Sequence, residues 1–183
     1  MTQFIYITII AITAIDFVFE KFLDYLNDKA KSPDMPPEAE GIYDAERYSK
    51  WLAYDKANGR VGVISSSISI LLSLAMLIFG GFGWLDIQLR EITEQPVLLA
   101  LLYFAVIGFA SSLISLPFSL YSTFVIEEKF GFNKTTIKTF ILDMFKGAAL
   151  AIIIGGPLGG LIVWLFYELG DVFWIVAWII MTA

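Results

Sequence analysis

The sequence has 183 residues, of which 58% are hydrophobic and only 16% charged; its mean hydropathy is +0.76 and its net charge −6. A soluble domain carries about 25% charged residues, so this is the composition of a membrane protein, and the acidic balance without a basic stripe argues against nucleic acid as a partner. Neither Cys nor His occurs, which excludes disulfides, thiol nucleophiles, His general bases and zinc sites built on His or Cys, and leaves carboxylates, Lys, Tyr and Ser as the available chemistry.

The first apolar segment runs from Gln3 to Phe19, interrupted by Asp16, and continues as an amphipathic pattern to about Asn27. It lacks the positive n-region and small-residue cleavage site of a signal peptide, so it reads as a retained span over 3–27. Asp16 is the one acid well inside an apolar segment. An intramembrane carboxylate is expensive and is either paired or functional, but its place near the charged end of the segment also allows a partly wet position.

Loop one follows. Ser32–Gly41, SPDMPPEAEG, is a Pro-rich breaker. After it, Asp44 or a neighbour is expected to cap a helix that can continue into the next span. Tyr48, Trp51, Leu52 and Tyr54 read as the aromatic belt of an interfacial helix, with a substrate-facing role as the alternative.

The second span is the uncharged run 61–85, 25 residues rich in Ser. The third lies in 97–126, within 32 uncharged residues from Gln95. Pro96 suits a helix start, and Pro117 is expected to kink or break the helix. The fourth, 147–167, holds GGPLGG, where two overlapping GxxxG spacings flank Pro157. Close helix packing accounts for such a pattern, and a broken helix lining a site is the sharper alternative. The fifth, 172–183, has 12 residues, about 18 Å of helix against a hydrocarbon core of about 30 Å. That shortness is read as a truncated helix in a piece of a longer protein. The expected fold is an all-α integral-membrane domain of about five spans, with residues 1–183 forming one domain.

Eleven of the twelve Lys and Arg residues fall in loops one and three. The positive-inside rule places those loops in the cytoplasm and the N-terminus outside. The membrane would be a prokaryotic plasma membrane, or the endoplasmic reticulum in a eukaryote.

Between the third and fourth spans stands YSTFVIEEKFGFNKTT. Glu127 and Glu128 are adjacent, and neighbours on a helix point about 100° apart, so they do not converge as a catalytic dyad. Gly131 reads as a C-cap and Asn133 as the N-cap of a helix through Asp143. No catalytic or metal-binding residue is assigned.

Three stretches, ERYSKWLAYDKANGRVGVISS (46–66), LIFGGFGWLD (77–86) and above all LPFSLYSTFVIEEKFGFNKTT (116–136), resemble the N-terminal membrane domain of the CAAX prenyl protease 1 family. These are integral-membrane zinc endopeptidases that cleave prenylated C-terminal peptides. The resemblance implies a substrate chamber walled by helices, with zinc held by an HExxH helix and a Glu in a cytoplasmic domain beyond residue 183. This chain would then hold no cofactor and be inactive alone. Glu127, Glu128, Phe130, Gly131, Phe132 and Asn133 carry over as motif positions that hold the wall against the protease domain. The implied partners are membrane lipid, that domain, and a prenylated or other peptide. A stand-alone transporter-like bundle or a scaffold is the alternative, and it would rest on Asp16, GGPLGG and the Ser-rich second span.

Overall fold

The computed structural model describes residues 2–32, 34 and 44–182. In chain order the helices are α1 (Thr2–Ala30), α2 (Ala45–Ile78), α3 (Gly81–Arg90), α4 (Pro96–Tyr121), a wide π turn at Ser122–Glu127, α5 (Glu128–Phe130) and α6 (Ile137–Leu150). A second π turn at Ala151–Gly155, α7 (Gly156–Leu169), a tight 3₁₀ turn at Gly170–Val172 and α8 (Phe173–Thr182) complete the fold. No strand occurs among the described residues. Among the described residues, four helical stretches, Gln3–Ala30, Ala45–Ile78, Pro96–Phe130 and Ile137–Ile179, are long and apolar enough to cross a bilayer. The last is 43 residues long, about twice what a hydrocarbon core needs. Gly170, at φ 51°, bends it between the segments read as spans four and five.

Among the described residues only Leu89, Leu99 and Ile126 are buried apolar side chains, while Phe79 is 85% and Phe4 75% exposed. A soluble fold would hide such rings. In a bilayer, lipid takes the place of that core, and the helices satisfy their own backbone groups.

The helix ends follow local chemistry. Asp44, at φ −85° and ψ 156°, accepts from the Arg47 amide at 2.7 Å and starts α2. Gln95 caps α4 by accepting from the Leu98 amide, with Pro96 at the first helical position. The run 61–85 is not one helix. It breaks at Phe79 and at Gly80, which adopts φ 70°, a conformation open to Gly and strained for other residues. Pro117 does not break α4, which passes through it; the irregular turn comes later, at Ser122–Glu127. The helix that holds the fourth span begins ahead of residue 147, because α6 starts at Ile137 and carries Lys138, Asp143 and Lys146 within it. The π turn in this span sits one turn before Pro157. The Pro157 ring crowds the Ile153 carbonyl, and its nitrogen cannot donate to it.

The chain divides into two compact units, Met1–Gly80 with Leu113–Asn133, and Gly81–Ser112 with Lys134–Ala183. In the first, α1 and α2 run antiparallel. The Tyr6 hydroxyl donates to the Leu77 carbonyl at 2.7 Å, and at the other end Lys31 pairs with Asp55. Asp55 holds the Lys31 ammonium above its ordinary pKa. In the second unit, Gly159 and Gly160 let α4 approach α7. A Cβ on Gly160 would stand 3.5 Å from Val97 and 3.6 Å from Leu101, and one on Gly159 would stand 3.5 Å from Leu101. This half of GGPLGG serves close packing.

Candidate functional site

The segment from Ser122 to Asn133 ends the third span, and its shape starts with the π turn. An extra residue in one turn rotates everything after it by about 100° relative to a regular helix. Ser122, which opens the turn, reaches α2, where its hydroxyl donates to the Asn58 side-chain oxygen at 2.7 Å. Ile126 is 4% exposed.

The helix stops at Gly131, whose φ of 72° and ψ of 24° place it in the left-handed region. The Phe132 amide donates to the Glu127 carbonyl at 2.8 Å, and the Gly131 amide to the Glu128 carbonyl at 3.0 Å. These are the two bonds of a Schellman cap, which satisfy carbonyls that the helix end would leave open. The Asn133 amide also reaches the Glu127 carbonyl, at 3.2 Å. Its side-chain nitrogen donates to the Glu128 carboxylate at 3.0 Å. Asn133 therefore belongs to the end of this helix and does not cap the next. Thr136 does that, at φ −87° and ψ 158°, accepting from the Thr139 amide at 3.2 Å.

One face of α2 clamps the cap. Tyr54 lies edge-on to both Phe130 (centroids 5.7 Å apart) and Phe132 (4.9 Å). One turn earlier, the Lys50 ammonium lies 5.3 Å from the Phe132 ring centre. Lys50, Tyr54 and Asn58 recur every four residues and so share one face. That spacing is the signal in the sequence, and Tyr54 belongs to this clamp and not to the interfacial belt expected of it. The belt description suits Tyr48 and Trp51, whose rings pair at 5.9 Å with Trp51 exposed.

The structure thus gathers Glu127, Glu128, Phe130, Gly131, Phe132 and Asn133 into one capped corner. The Glu127 carboxylate is half-buried and has no hydrogen bond or ion pair among the described residues, while Glu128 is exposed and tied to Asn133. The two carboxylates are spent differently, as their adjacent helical positions require. Asp16 is not part of this corner's hydrogen bonds. Because the helix continues to Ala30, Asp16 stands midway along α1, exposed and without a polar partner among the described residues. Most of the Pro-rich stretch of loop one lies outside the described residues; Ser32 and Asp34 are described.

The donor set does not fit zinc. The chain offers no imidazole or thiolate, and the described residues contain no group of three acids close enough to share a metal ion. What the corner can do is present a rigid polar and aromatic edge at the end of a membrane helix.

A family model described as CAAX prenyl protease N-terminal, five membrane helices, matches residues 24–183. An Arabidopsis thaliana protein named CAAX prenyl protease 1 homolog is 32% identical over 182 residues, which cover 95% of this chain and 43% of the plant protein. CAAX prenyl protease 1 of Saccharomyces cerevisiae is 31% identical over 168 residues, covering 86% of this chain and 36% of the yeast protein. The crystal structure of S. mikatae Ste24p superposes with a TM-score of 0.82 at 29% identity, covering 97% of this chain and 43% of that one. The chain spans less than half the length of each of these proteins.

Proposed function

The chain belongs to the family of CAAX prenyl protease N-terminal membrane domains, and on that premise we propose that it forms the membrane wall of a zinc-dependent endopeptidase acting on prenylated C-terminal peptides. The observation that carries this reading is a match over 24–183 to a protease's membrane domain in a chain devoid of His and Cys. The helices house the substrate, and a protease domain outside these 183 residues supplies the zinc chemistry. The Glu127–Asn133 corner is the docking edge for that domain. A Schellman cap clamped by Tyr54 suits this role, because a rigid edge loses little entropy when a partner settles on it.

The test compares the 183-residue chain with the full gene product on a prenylated CAAX peptide, each with and without zinc. Cleavage is expected from the full gene product only. Zinc-dependent cleavage by the short chain would overturn the division of labour.

We place loops one and three in the cytoplasm and the N-terminus outside, because eleven of the twelve Lys and Arg residues lie in 20–60 and 127–146, in those loops or in the helical turns that flank them. The absence of native Cys makes this simple to check. A single Cys at Lys134 should react with an impermeant maleimide in inside-out vesicles, and one at Glu91 in right-side-out vesicles. The reverse pattern would invert the topology.

A further inference from the structure

A groove of about 930 Å³ runs between α1 and α2, on the residues before and after the first turn of the uncharged run. Its floor on α2 includes Gly59 and Gly62, and a Cβ built on either meets nothing within 4 Å. These two glycines leave the trough that larger residues would fill. Its chemistry is graded along its length. Phe17 and Val63 line it toward the apolar part of the helices, while Lys56 and Arg60 line it toward loop one. Lys56, Arg60 and Val63 stand four and then three residues apart, so one face of α2 passes from cation to hydrocarbon.

The charges in this groove do not all cancel. Lys21 pairs with Asp24 at 2.8 Å, and Lys31 pairs with Asp55 and, at 3.6 Å, with Asp28. That uses all three groove acids. Lys56 and Arg60 remain exposed, without an ion pair or hydrogen bond among the described residues. Four cations against three acids leave one net positive charge, with Lys56 and Arg60 unpaired; such a pair above an apolar trough matches one kind of occupant, an amphiphile with an anionic head.

We infer that this groove is a binding site for an anionic phospholipid, with its phosphate on Lys56 and Arg60 and an acyl chain along Phe17 and Val63. The groove shares Asn58 with the α2 face that clamps the Glu127–Asn133 corner, but its proposed headgroup and chain contacts lie on other residues, and its occupancy does not depend on the protease reading. Arg supplies a fork that can hold two phosphate oxygens, and Lys adds a point charge. The glycine floor gives the chain a path that an ordinary helix pair would close.

The test is native mass spectrometry of the delipidated full gene product, titrated with phosphatidylglycerol or phosphatidylcholine of the same acyl chains. Phosphatidylglycerol should bind on the order of tenfold more tightly, as expected for cations acting on a lipid headgroup. The Lys56→Gln/Arg60→Gln variant should lose that preference, and Lys138→Gln/Lys146→Gln, with the same change in charge, should keep it. The swap Lys56→Arg/Arg60→Lys should also keep it, which separates lost charge from lost fold. Equal binding of the two lipids would overturn the site, as would equal loss in both charge-removing variants. Displacement of phosphatidylglycerol by inorganic phosphate alone would show a simple anion site, and displacement by a prenylated peptide would show a substrate groove. Either result also overturns the lipid assignment.

Discussion

Gly131→Val is expected to destabilise the Glu127–Asn133 corner by about 2 kcal/mol or more, since the left-handed region costs an ordinary L-residue about 1–2 kcal/mol and a β-branched one more. The effect is a backbone effect. A Cβ at Gly131 would find only the Lys50 ammonium, at 3.8 Å, and that is ordinary contact with the end of a flexible side chain. Gly131→Ala should therefore show the backbone penalty almost alone, about 1 kcal/mol, and Gly131→Asn should be milder still, because Asn tolerates this conformation. Hydrogen exchange reads the change directly. The Gly131 and Phe132 amides close the cap, and each 1.4 kcal/mol lost from local opening speeds their exchange about tenfold. Protection at Phe132 that is unchanged in Gly131→Val would show that the cap does not depend on glycine.

The larger features were legible because charge punctuates this chain. A helix in lipid cannot carry many ionised groups, so the uncharged runs mark the spans and the Lys and Arg residues mark the loops. The same signal blurred the ends. The run 61–85 contains no charge, yet the helix stops at Ile78, since the left-handed Gly80 follows. Lys138, Asp143 and Lys146 suggested a loop but lie in α6, where long side chains can place their charges in water while the helix continues. Asn133 and Thr136 are both good N-cap residues, and propensity alone could not separate them. The difference is that the Asn133 amide is already committed to the Glu127 carbonyl. The two π turns are readable only in part. One precedes Pro157 and has a covalent cause. The other opens on Ser122, bonded to Asn58, and contains the buried Ile126, contacts that no local sequence window contains. The clamp of Lys50, Tyr54 and Asn58 was written at a spacing of four, but its target lies some seventy residues away in the chain.

That clamp carries the second large effect. Tyr54→Ala should lower stability by roughly 2–3 kcal/mol, since each edge-to-face pair adds about 0.5–1.5 kcal/mol beyond the area that it buries. Tyr54 makes two such pairs, with interplanar angles of 79° to Phe130 and 77° to Phe132. The ring provides the effect. The Tyr54 hydroxyl has no hydrogen bond among the described residues, so Tyr54→Phe should stay within about 0.5 kcal/mol of the parent, as substitutions that remove no partner do. Thermal unfolding in detergent distinguishes the two variants, and exchange at Phe132 shows whether the loss is centred on the corner. If Tyr54→Ala matched the parent by both measures, the cap would be self-supporting and α2 would be a bystander. If Tyr54→Phe fell as far as Tyr54→Ala, the hydroxyl, and not the pair of ring contacts, would hold the corner in place. Under the docking role, Tyr54→Ala should also reduce peptide cleavage by the full gene product at temperatures where the protein remains folded, because a loosened edge must be reordered each time the protease domain settles on it.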